Sequence, residues 1–205
     1  MNTLGSNPET DPRRATWKRQ TKETRVEIEL QLGGAGRADV DTGLAFLDHM
    51  LENLCRHGNL NLKLHCQGDL LVDDHHTVED CALAFGKALK KALGDGAGIQ
   101  RFGSAYAPLD EALARVVIDL SGRPFAFLSL GLQREKLGQV ACENLVHWFR
   151  SLAMSGEFCL HAEVLRGEND HHRAEATFKA FALALRQATA VRGGTEIPST
   201  KGVLT

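Results

Sequence analysis

The sequence lacks any C-x-x-C pair, and its five cysteines, Cys55, Cys66, Cys81, Cys142 and Cys159, are odd in number. That disfavours a disulfide framework or a zinc ribbon and fits a reducing cytoplasm. Long apolar runs are also missing: no stretch approaches the ~18 residues that a membrane span needs. The opening MNTLGSNPETDPRR has no apolar segment of the kind that heads a secretory leader, and its acids argue against a transit peptide. An excess of positive charge is absent as well. The formal net charge of -2 exerts no global pull toward nucleic acid or an anionic membrane. Any anion bound must therefore be met by a local basic cluster. What is present is 205 residues, 43% hydrophobic and 24% charged, enough for a sizeable core in one large domain or two small ones. A loose tail is expected over residues 1–14.

The hydrophobic pattern divides the rest. RVEIELQL alternates Val26, Ile28, Leu30 and Leu32 with polar residues, and NLNLKLHCQGD does the same with Leu60, Leu62, Leu64 and Cys66. Both read as strands with one wet face, which places His65 on the wetter side. GLAFLDHMLENLCRHG spaces Leu44, Leu47, Leu51 and Leu54 at helical intervals, with Gly58 as a stop. Val78, Ala82, Phe85 and Leu89 predict a second helix that ends at LGDG. From RFGSAYAPLDEALARVVIDLSGRPFAFLSL onward, strands are expected, broken by turns at Pro108 and at Gly122-Arg123-Pro124. A helix over CENLVHWFRSLAMSGE, a strand over FCLHAEVLRG and a last helix follow.

One constant shift carries His75, His76 and Glu79 onto His171, His172 and Glu175, and the core positions Val78, Ala82, Phe85 and Leu89 onto Ala174, Phe178, Phe181 and Leu185. His65 maps onto His161, and, after a small length change, His49 onto His147. The chain is a duplication. The fold expected is α+β, two β-β-α-β-α units with helices packed on one face of each sheet, the first over 15–96 and the second over 97–193, with a tail at 194–205.

The repeated histidines carry chemistry. Neighbours on a helix are rotated by about 100°, so His75 and His76 face different directions, with Glu79 lying between them. Such a helix start feeds two metal ions, one per histidine. Adding His49 and His147 gives three imidazoles and one carboxylate for each of two ions, and a divalent ion of octahedral habit would keep positions for substrate. A lone His-His pair is more often a solvated helix start. Two pairs at matching positions, each with its glutamate and an upstream histidine, favour metal binding. His65 and His161, on wet strand faces, stay outside the set.

FLDHML, GDLLVDDHHTVED, GIQRFGSAYAPLDEAL, DLSGRP, DHHRAEATFKAFA and STKGVL occur in this order. In these motifs, from about Arg14 to its end, the chain resembles the imidazoleglycerol-phosphate dehydratase family. The resemblance implies a duplicated fold like the second domain of ribosomal protein S5, two manganese ions per site, and a homo-oligomer of twenty-four subunits with sites between neighbours. It assigns His49, His75, His76, Glu79, His147, His171, His172 and Glu175 to metal. It gives the substrate phosphate to Arg101, Arg123, Ser199 and Lys201. It also places Glu23 and His57 near the substrate, beside the ligand His49.

The implied reaction dehydrates imidazoleglycerol phosphate to imidazole acetol phosphate in histidine biosynthesis. No carbonyl acidifies the C–H bond that must break, so an electron reservoir is needed. A ring held as imidazolate by two metals can expel the adjacent hydroxyl through a diazafulvene-like intermediate. Glu175, Glu23 or Glu79 then handles the proton. A dinuclear hydrolase would be expected to carry more bridging carboxylates, and a di-iron storage bundle would carry Glu-x-x-His on helices. Neither pattern is written here.

Overall fold

A computed structural model describes residues 13–204. The tail expected at 1–14 lies, up to residue 12, outside the described residues; Arg14 opens the first strand. The first half runs β1 (Arg14–Gln20), β2 (Thr24–Leu32), β3 (Ala38–Asp41), α1 (Ala45–Gly58), β4 (Leu60–Gly68) and α2 (His75–Leu93). The second runs β5 (Phe102–Leu109), β6 (Ala112–Asp119), β7 (Phe125–Ser129), a short hairpin of β8 (Lys136–Leu137) and β9 (Val140–Ala141), α3 (Cys142–Gly156), β10 (Cys159–Arg166) and α4 (Asp170–Ala188).

The sheets have orders β1-β2-β4-β3 and β5-β6-β10-β7, the same topology written twice. The expected β-β-α-β-α order is there, with one further edge strand, β3 or β7, inserted before the first helix of each unit. Both edge strands pair in parallel with the later strand of their half. Val26, Ile28, Leu30 and Leu32 of β2, and Leu60, Leu62, Leu64 and Cys66 of β4, are buried, as alternation requires.

One expected turn is displaced. Pro108 lies inside β5, paired opposite Leu113, and the chain reverses instead at Asp110, whose φ is 46°. β5 is an edge strand, so the missing proline N–H costs no ladder bond.

Each sheet is covered on one face by its own helices, and the two helix layers meet: α1 packs on α4, and α2 on α3. Small residues let the helices approach closely. A Cβ on Gly86 of α2 would stand 2.8 Å from the Leu152 carbonyl oxygen of α3. Backbone cannot give way as a side chain can, so Gly86→Ala is expected to destabilise the protein by about 1–3 kcal/mol, measured by denaturant titration. The core between the halves is aromatic: Trp148, Phe149, Phe178 and Phe181 are fully buried, and the Phe149 and Phe178 rings lie 4.7 Å apart. No helix among the described residues is long and apolar enough to cross a membrane.

Candidate active site

The crossed packing of the helices decides which site residues meet. His49 rides on α1 and faces α4, where Nε2 of His49 lies 3.3 Å, and Nε2 of His171 3.1 Å, from the same Glu175 oxygen. His147 rides on α3 and faces α2: its Nε2 lies 2.9 Å from Glu79 Oε1. The His75 ring stacks on His147 with centroids 4.9 Å apart. Within each trio, His49/His171/Glu175 and His75/Glu79/His147, the ligand atoms lie within 4.8 Å of one another. Each trio takes one imidazole from one half and an imidazole with its carboxylate from the other. Neither half carries a complete trio.

The glutamates side with the first histidine of each pair, one helical turn away. The second histidines point elsewhere: the His75 and His76 rings are 80° apart in plane, and those of His171 and His172 85°. His76 Nδ1 lies 3.1 Å from Asp69, and its Nε2 3.7 Å from Glu23. His172 Nδ1 lies 2.7 Å from Glu111, and its Nε2 3.8 Å from Asp110. Two nitrogens and one oxygen thus meet within a single chain at each trio. The third nitrogen expected for each ion faces away from it.

Several groups that local patterns do not announce surround the trios. Burial alone pushes the Glu175 carboxyl up, but Lys179, at 2.7 Å, and the hydrogen bonds from His171 and His49 outweigh it and hold the pKa below the ordinary range. Lys179 falls one turn past Glu175 on α4, the only hint of its place in the sequence. His57, at the end of α1, is lowered by burial and by the Lys179 ammonium, which keeps it neutral near pH 7. Asn144 Oδ1 lies 3.0 Å from His75 Nδ1. An amide oxygen only accepts, so Nδ1 carries the proton and Nε2 is left for a ligand.

The expected phosphate residues come from three points of the chain: the residue ahead of β5, the turn after β6 and the C-terminal segment. Arg101, at φ 70°, donates from Nε and Nη2 to Asp119 at 2.7 and 3.1 Å, and from Nη1 to the Pro198 carbonyl at 2.8 Å. That last bond draws the C-terminal segment, with Ser199 and Lys201, to its side. Lys201 N–H donates to Ser199 Oγ in a tight turn. Arg123 stands exposed in the turn leaving β6, close along the chain to Leu120, whose N–H donates to the Arg101 carbonyl. An open cleft of about 730 Å³ borders His75 and Asn144, with Arg134 and Lys136 on its wall.

Fold and site together define a duplicated α+β protein with two imidazole-carboxylate clusters suited to divalent cations. The family profile described as imidazoleglycerol-phosphate dehydratase matches residues 42–185. The chain is 54% identical over 192 residues to the imidazoleglycerol-phosphate dehydratase of Methanothermobacter thermautotrophicus, covering 94% of this chain and 98% of that one. It is 46% identical over 215 residues to the Saccharomyces cerevisiae enzyme of that name, covering 93% and 98%. The crystal structure of the Staphylococcus aureus dehydratase superposes with a TM-score of 0.79 at 34% identity, over 87% of this chain and 99% of that one. That of the Pyrococcus furiosus enzyme, in complex with (S)-C348, gives 0.79 and 34% over 92% and 100%. The chain belongs to the imidazoleglycerol-phosphate dehydratase family.

Proposed function

We propose that the two trios, completed by His76 and His172, hold two divalent cations, manganese in the cell, at which imidazoleglycerol phosphate loses water to give imidazole acetol phosphate in histidine biosynthesis. The observation that carries this reading is the pair of convergent imidazole-carboxylate trios, each assembled across the duplication. The donors fit such ions: imidazole nitrogens and a carboxylate oxygen at each point, with too few protein ligands to close an octahedron. When bound, the cations would supply positive charge at both ring nitrogens of the substrate and favour its imidazolate.

The chain's own groups do the rest. His49, His75, His147 and His171 orient the site from four different helices, and Asn144 fixes the His75 tautomer. Glu175, held ionised by Lys179, accepts the proton lost from carbon. Glu79 stands in the matching place beside His147, and Glu23 is the other proton-handling candidate, beside His76. His57 lines the substrate side of α1. Arg101, Arg123, Ser199 and Lys201, from the residue ahead of β5, the turn after β6 and the segment 194–205, take the phosphate through forked guanidinium contacts, a hydroxyl and an ammonium.

His76 and His172 turn away from the trios of their own chain, which supports an assembly in which they serve a neighbour's ions. That fits a homo-oligomer of twenty-four subunits with sites between chains. The five unpaired thiols support a cytoplasmic setting.

Conversion of imidazoleglycerol phosphate to the acetol, followed by ultraviolet absorbance, tests the function. Steady release of inorganic phosphate in its place would make the protein a hydrolase. Lys201→Ala is expected to raise KM for the phosphorylated substrate about 10–100-fold, the worth of one charge-assisted hydrogen bond, with a smaller change in kcat.

A further inference from the structure

His76 and His172 are related by the duplication, and each ring meets two carboxylates. On the Nε2 side the arrangement is copied: the β1–β2 turn brings Glu23 to 3.7 Å, and the equivalent β5–β6 turn brings Asp110 to 3.8 Å. On the Nδ1 side it is not. The first half uses Asp69, from the loop ahead of α2, and the second uses Glu111, from the β5–β6 turn. Two segments that do not correspond in the duplication deliver a carboxylate to the same ring atom, Asp69 from ahead of α2 and Glu111 from the β5–β6 turn.

A carboxylate only accepts, so each Nδ1 must carry a proton and the lone pair of the neutral ring is left on Nε2. A ring locked in this way is orientated and made more basic as a ligand. Glu111 is itself anchored. Its Oε1 accepts the backbone N–H groups of Glu168 at 3.0 Å and Asn169 at 2.8 Å, which leaves Oε2 for the ring. Asn169 in turn caps α4 by accepting the His171 N–H at 2.9 Å. Asp69 is less constrained, with its two oxygens at 3.2 and 3.1 Å from His76 Nδ1.

We propose that Asp69 and Glu111 are positioning residues that hold His76 and His172 as Nδ1–H tautomers with Nε2 presented to a cation. The proposal rests on the reading of those two histidines as metal ligands. It separates two nearly isosteric substitutions. In Glu111→Gln the backbone donors keep the amide oxygen, so the amide NH2 faces His172 Nδ1 and demands a lone pair there. The ring proton must move to Nε2, where it blocks ligation. In Asp69→Asn the amide has no such anchor and can turn its oxygen to His76, which rescues the tautomer.

Calorimetric titration of the assembled, metal-stripped protein with Mn2+ alone reads the affinity. Glu111→Gln is expected to weaken one of the two equivalents about 10–100-fold, while Asp69→Asn stays within about threefold of the parent. Nitrogen-15 magic-angle-spinning spectra of the histidine-labelled, metal-free protein read the tautomer directly. His172, assigned by difference against His172→Gln, should show an unprotonated Nε2 in the parent and a protonated one in Glu111→Gln. Parent-like affinity at both equivalents in Glu111→Gln would overturn the proposal. So would a parent His172 that, at a pH high enough to leave the ring neutral, carries its single proton on Nε2 and none on Nδ1, a measurement that decides the matter even if the variant does not assemble. A parent protein that binds no Mn2+ would instead overturn the ligand reading beneath it.

Discussion

Glu175→Gln is expected to fold normally and to lose about a thousandfold in kcat at saturating manganese. The carboxylate is buried at the meeting point of three donors, His49, His171 and Lys179, and those donors hold it ionised against the cost of burial. An amide of the same shape fills the space but can neither carry the charge nor take up a proton. General acid-base groups contribute about 10²–10⁴-fold, which sets the size of the loss. Glu23→Gln serves as the companion. Glu23 is more exposed and stands at the second-histidine side, 3.7 Å from His76. Steady-state kinetics at saturating manganese measure both. Near-normal turnover in both variants would remove carboxylate proton transfer from the account.

Loss of His49 or His147 is expected to cost one metal ion each. Each imidazole belongs to a trio whose other members lie in the opposite half, so each substitution opens one trio and leaves the other intact. The His49 side chain is 47% exposed, so His49→Ala should move stability by no more than about 0.5 kcal/mol. Its effect is then separable from unfolding. Metal analysis after dialysis should fall from two ions per chain to one in either variant and to none in the double variant, and turnover should drop about a hundredfold or more in each. Retention of two ions by the double variant would show that the trios are not the binding points.

Much of this was legible in the chain, and the reasons differ by element. β2 and β4 are half-buried, so their alternation is complete, and the α2 spacing Val78, Ala82, Phe85, Leu89 falls on fully buried positions. β1 shows almost no alternation because Ala15 is its one buried residue. β3 and β7 are short edge strands held by parallel pairing to partners that arrive later in the sequence. Pro108 read as a turn because edge position, which excuses it, is a property of the sheet.

For the site, the candidate ligands stood out by their repetition, but their partnership did not. Spacing along one helix shows that His75 and His76 diverge. It does not show that α2 meets α3 and α1 meets α4, and that crossing joins His49 to Glu175. Asp69, Glu111 and Asn144 touch site residues through loops or across helices and carry no pattern of their own, and Lys179 shows only its one-turn spacing from Glu175.

The central claim is that water leaves the substrate only when both trios hold cations. Formation of imidazole acetol phosphate should be measured with one preparation before chelation, after complete metal removal, and after return of Mn2+. The account predicts loss of product on removal and recovery that tracks the second equivalent added per chain. Product formed equally well by the fully stripped protein would contradict it.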